Sequence, residues 1–154
     1  MILDTLRVEP ASLVLGLAYD SQAQRLYVLD VDDDHDTWPL RYARLLRIDV
    51  SRGTSTVVWR VPYTGLYSSV ALSALEDGTV ALVAGTSLGY TAWRLDAAGQ
   101  DAVFRGVRVG LGRVVDDPVM GEDRLYLPVH RGSAIELDEI QPSGFLPGAA
   151  CTGL

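Results

Sequence analysis

Short apolar or alternating runs of five to eight residues follow one another along this chain, separated by clusters of Gly, Pro, Asp and Ser. A period near two, with Val, Leu, Tyr and Trp dominating, marks strands that bury one face or both. The pattern predicts strands over residues 13–19, 25–30, 44–50, 55–61, 68–75, 80–84, 91–96, 101–109, 113–115, 125–129 and 133–137. Between them, Asp20-Ser21-Gln22, Ser51-Arg52-Gly53, Asp77-Gly78 and Ala97-Ala98-Gly99 fit hairpin turns. No stretch carries the 3.6-residue period of an amphipathic helix, so the fold class read here is all-β.

The runs repeat. Arg25-Leu26-Tyr27-Val28-Leu29 parallels Arg124-Leu125-Tyr126-Leu127-Pro128, with Gly78-Thr79-Val80-Ala81-Leu82-Val83 in the middle copy. Each is followed by an element ending in Asp and then a turn with Gly: Leu46-Arg47-Ile48-Asp49 with Gly53, Trp93-Arg94-Leu95-Asp96 with Gly99, and Ile135-Glu136-Leu137-Asp138 with Gly144. Intervals of 47 and 42 residues between the Asp anchors, each holding four short strands, match the length of one propeller blade. From residue 13 to 146 the chain resembles β-propeller blades of the broad WD-repeat, kelch and YVTN-like class. It has no Gly-His, Trp-Asp or Gly-Gly pair to assign a subfamily. The resemblance implies an N-terminal strand segment at residues 1–12 and blades at 13–62, 63–109 and 110–154, the last with an irregular tail. Closed propellers carry four to eight blades. Three therefore imply a portion of a larger ring or a dimeric ring, with Thr5-Leu6-Arg7-Val8 as an outer strand of a neighbouring or final blade. The alternative is a single β-sandwich or barrel whose hairpins only look periodic.

Composition narrows the function. With 154 residues and 48% hydrophobic positions, the chain is long enough to bury a core without a disulfide or metal. All 13 basic residues are Arg and there is no Lys, which removes phosphate-loop, Schiff-base and kinase-type chemistry. A net charge of −7 disfavours nucleic acid and anionic membrane surfaces as partners, and no run of about 18 apolar residues offers membrane insertion. The lone Cys151 has no partner for an intrachain disulfide and reads as a partly buried, inert thiol.

Several constellations bear on chemistry. Asp30, Asp32, Asp34 and Asp36 alternate in the run Asp30-Val31-Asp32-Asp33-Asp34-His35-Asp36, and convergent carboxylates suit a hard cation needing six to eight oxygens. The run looks like a calcium loop and is loosely similar to the Asp-rich loops of integrin-type propellers, without the turn Gly or the terminal Glu of the helix-loop-helix motif. Its plainer reading is a solvated acidic loop that keeps an edge from pairing. In blade geometry this loop shares a face with the links between blades, bringing Trp38, Arg41, Tyr42, Tyr63 and Tyr67 to one surface; aromatic and Arg residues are the usual anchors of protein interfaces. Gly85-Thr86-Ser87-Leu88-Gly89 matches G-x-S-x-G, with Asp116, Asp117 and His130 following in hydrolase order. That motif needs a helix after the Ser, and Tyr90-Thr91-Ala92-Trp93-Arg94-Leu95 alternates like a strand. His35 and His130 fall in equivalent links but lack metal-site spacing, and Asp116-Asp117, if extended, point to opposite faces.

The sequence thus favours a non-enzymatic interaction or scaffold module, with a protein partner or self-association as a homodimer, and with no cofactor. The alternative is a calcium-dependent propeller hydrolase or lactonase.

Overall fold

The computed structural model describes residues 13–32, 41–121, 124–148 and 150–154. Its first sheet is β1 (Leu13–Asp20), β2 (Arg25–Asp32), β3 (Tyr42–Asp49) and β4 (Thr54–Pro62). The second is β5 (Ser69–Ala74), β6 (Val80–Gly85), β7 (Gly89–Asp96) and β8 (Val103–Leu111), and both run antiparallel in sequence order. The third holds β9 (Arg113–Val114), β10 (Val119–Gly121), β11 (Arg124–Arg131) and β12 (Ala134–Ile140). None of the three closes into a barrel, and the arrangement is compatible with propeller-like blades. Among the described residues the one helical element is a 3-10 turn at Pro142–Gly144.

The repeat has a visible physical basis. Asp49 Oδ1 accepts the Ser51 hydroxyl at 2.7 Å and the Arg52 N–H at 3.1 Å, and Asp96 Oδ1 accepts the Ala98 N–H at 3.2 Å, so these anchors close the turns they precede. Val58 of β4 and Arg105 of β8 are left between register pairs as bulges. The interval between them, 47 positions, is also that between Asp49 and Asp96. The Ala102 N–H donates to the Val58 carbonyl at 2.5 Å, tying the second sheet to the outer strand of the first. Asp138, the third anchor, lies inside β12, which continues to Ile140 because Leu125 pairs with that residue.

Packing places the second sheet in the middle. Tyr27 and Leu29 of β2 and Leu45 of β3 share a core with Leu82 of β6 and with Trp93 and Leu95 of β7. Ala81, Val83 and Ala92, on the opposite face, share another with Leu125, Leu127 and Val129 of β11. β6 is buried along its whole length, and its unbroken apolar sequence is what a strand covered on both faces requires. The inner strands β1 and β5 approach closely at Gly16, where a Cβ would stand 3.1 Å from the Leu72 Cβ. At the other end of the stack, the outward face of the third sheet leaves Val119, Ile135 and Leu137 each more than 60% exposed.

The third sheet departs from the four-strand pattern read in the sequence. β9 and β10 pair end to end along the same edge of β11, interrupted by Val115-Asp116-Asp117-Pro118. β10 was not predicted, since three residues beyond a Pro carry too little periodicity. The tail turns back: Leu146 and Val107 of β8 exchange backbone hydrogen bonds of 2.7 and 2.9 Å. Leu154 is fully buried in the first core, its N–H on the Pro62 carbonyl at 2.9 Å.

A polar tie joins the second and third sheets. The Tyr90 hydroxyl donates to Asp138 Oδ2 at 2.7 Å, and Arg131 forks onto the same carboxylate. Arg131 holds the Asp138 carboxyl below the usual carboxylate range, while burial and the bond to Asp138 push the Tyr90 hydroxyl up to about 12. An unfolded tyrosine ionises near pH 10, so the stabilisation from the raised value is complete below that pH and is lost as pH rises through about 12. The Tyr90→Phe variant should melt lower than wild type at pH 7, by the equivalent of about 1 kcal/mol. That gap should close between pH 10 and about 12; a gap unchanged across this window in thermal melts would contradict the assignment.

Candidate functional site

The up-and-down order of antiparallel strands sends alternate turns to opposite ends of each sheet. The end where β1, β5 and β9 begin also collects the β4–β5 link, the β6–β7 hairpin and the interruption after β9. There, an open cavity of about 470 Å³ lies between the three inner strands. Val14 and Leu15 of β1, Ser69 to Ala71 of β5, and Val114 of β9 form its walls. Tyr63, Tyr67 and Ser68 reach it from the β4–β5 link, and Asp116 and Asp117 from the break between β9 and β10.

Each of these groups is set by its neighbours. The Tyr63 N–H donates to the Arg41 carbonyl at 2.9 Å, fixing the start of the link. The Tyr67 ring stands edge-on to Trp93, with centroids 6.4 Å apart at 86°, a favourable aromatic geometry. Ser68 N–H and hydroxyl both donate to the Gly85 carbonyl, at 2.8 and 3.2 Å. Ser69 Oγ is buried over Gly85 without a hydrogen-bond partner; a Cβ on that glycine would stand 2.6 Å from the oxygen. Asp116 Oδ1 accepts the Asp117 N–H at 2.8 Å. Among the described residues neither carboxylate has a basic partner, although both are exposed at the cavity rim.

Of the interface residues expected from sequence, the cavity unites Tyr63 and Tyr67. Arg41 and Tyr42 lie at the same strand end, with Tyr42 turned to the outward face of the first sheet, where the Arg60 guanidinium sits 4.0 Å from its ring centroid. Trp38 lies outside the described residues. Sequence reasoning missed Ser69 and placed Asp116 and Asp117 on opposite faces only for the case that they are extended. Their backbone is not extended strand, because the Asp-Asp-Pro segment interrupts the inner strand, and both line one cavity. That interruption, absent from the first two copies, was the available signal.

The acidic run divides. β2 extends to Asp32, so Asp30 and Asp32 are strand residues on the face opposite Tyr27 and Leu29. Asp30 is fully buried and receives a fork from Arg44 directly across the ladder, Nε to Oδ1 at 3.0 Å and Nη2 to Oδ2 at 2.7 Å. Asp32 Oδ2 lies 3.4 Å from both Arg44 Nη1 and Arg60 Nη2, whereas its Oδ1 is buried without a partner. Asp34 and Asp36 lie outside the described residues, as does His35, and the described residues contain no group of three or more metal-ligating side chains.

The hydrolase motif forms a hairpin loop. Thr86 N–H donates to the Gly89 carbonyl at 2.8 Å, and Thr86 Oγ1 accepts the N–H groups of Leu88 and Gly89. Strand β7, not a helix, follows Ser87. His130 is an exposed residue of β11 paired with Ile135 and Arg113. Cys151 is half-buried, its Sγ donating to the Gly153 carbonyl at 3.2 Å, and burial pushes its thiol pKa up. No family pattern, curated protein or solved structure matches the chain.

Breaking a buried ion pair from one side leaves an uncompensated charge, a loss of about 3–5 kcal/mol. Arg44→Met should therefore lower stability in urea by about that much, and adding Asp30→Leu should recover most of it. A single-variant loss under about 1 kcal/mol, in the range of exposed pairs, would contradict the burial of this pair.

Proposed function

We propose that the protein is a non-enzymatic interaction or scaffold module of β-propeller type, binding a partner protein at the cavity between the inner strands. One observation supports this reading: two tyrosines and two carboxylates, the latter without a basic partner among the described residues, line one open space. A cavity of this size is within the range of specific binding sites, and aromatic rings on a scaffold of paired strands make preorganised anchors. The groups that fix Tyr63 and Tyr67 are the carbonyl of Arg41, the residue just before β3, and the Trp93 ring of β7.

A second reading, a calcium-dependent hydrolase or lactonase, is favoured by the unpartnered Oδ1 of Asp32. Against it, Arg44 and Arg60 already balance the charge of Asp30 and Asp32.

One selection separates the two. A displayed random-peptide library panned on the wild-type chain should converge on a sequence whose affinity falls at least tenfold for Tyr63→Ala/Tyr67→Ala and is unchanged by EDTA. Failure to converge, or equal affinity for the variant, would contradict the module; loss of binding with EDTA would favour the calcium reading.

A further inference from the structure

The chain holds its own arginines through carboxylates and, at one of them, through a tyrosine ring. Arg60 lies with its guanidinium 4.0 Å from the Tyr42 ring centroid and a nitrogen 3.4 Å from Asp32. Arg44 forks onto Asp30 and also reaches Asp32. Arg131 forks onto Asp138, which Tyr90 also contacts. A carboxylate with a tyrosine beside it thus receives a guanidinium at two places in this fold. At Tyr42 the flat face of a guanidinium lies on the ring, and at Asp30 and Asp138 the fork meets a carboxylate, the two ways in which a planar delocalised cation is held.

The inner-strand cavity brings tyrosines and carboxylates together. Tyr63 and Tyr67 stand on one side, and Asp116 and Asp117 on the other, with no basic side chain of the described residues between them. The apolar walls, Val14, Leu15, Val70 and Val114, suit the methylene stem that a long basic side chain lays along apolar surface. The net charge of −7 draws a basic segment toward the chain from a distance.

We infer that the cavity takes an arginine side chain of a partner protein, its guanidinium held between the Tyr63 and Tyr67 rings and the Asp116 and Asp117 carboxylates. This rests on the binding-module reading and names the chemistry of its partner. The probe is the capped pentapeptide Gly-Gly-Arg-Gly-Gly, with Gly-Gly-Gln-Gly-Gly as the uncharged control, followed by chemical-shift titration. The Arg peptide should give saturable shifts at Tyr63, Tyr67 and Asp117, and the Gln peptide should bind at least tenfold more weakly. Asp116→Asn/Asp117→Asn, exposed and near-isosteric, should weaken the Arg peptide at least tenfold; Asp117→Asn alone serves if the double variant melts early. Absence of saturable shifts with the Arg peptide, equal binding of the Gln peptide, or no loss in the Asn variants would each overturn the inference. A library-selected peptide that depends on Tyr67 but ignores Asp116→Asn/Asp117→Asn would overturn the arginine assignment while leaving the module reading standing; no ligand of any kind would remove both.

Discussion

Everything in this fold depends on covering a sheet that is apolar on both sides. β6 has no polar side chain to turn toward water and is buried throughout, so the second sheet cannot exist alone. It needs the first sheet against Leu82 and Trp93, and the third against Ala81 and Val83. At about 25 cal/mol per Å² of apolar surface removed from water, these two interfaces are the main favourable contribution to folding. They also bring the inner strands side by side, and the cavity is the space left where those strands begin.

The buried charges follow a second constraint. A carboxylate can be placed inside a strand only if a cation meets it there. Asp30 satisfies this through its ladder partner Arg44, and Asp138 through Arg131 with help from Tyr90. Asp116 and Asp117 have no such partner among the described residues and sit where the strand breaks, in contact with water. Ion pairs that are complete stabilise the fold, whereas Asp116 and Asp117 line the cavity.

Much of the strand layout was legible because period-two alternation and turn residues are local signals. The first two Asp anchors, the hairpins and the four-strand units of the first two sheets could be read from residue order, whereas β10 of the third could not. Pairing across the ladder could not: the predicted strand stopped at Asp30, and Asp32, which lies in β2, fell in the link. The strand interruption at Asp116-Asp117-Pro118 was visible as composition, but its consequence, two adjacent carboxylates on one cavity, depends on backbone geometry. Tyr63 and Tyr67 were legible as surface aromatics on a link; Ser69 was not, because its significance lies in the absence of a hydrogen-bond partner.

An arginine guest in the cavity would meet Tyr67 from the link before the second sheet and Asp117 from the third. The most direct test is a double-mutant cycle between Tyr67→Ala and Asp117→Asn, read as the affinity of the arginine pentapeptide. Residues that share a partner couple by about 0.5 kcal/mol or more, whereas independent sites add within about 0.3–0.5 kcal/mol. A loss in the double variant that departs from the sum of the single losses by about 1 kcal/mol is the predicted result. Strict additivity would contradict a single site built from both sheets.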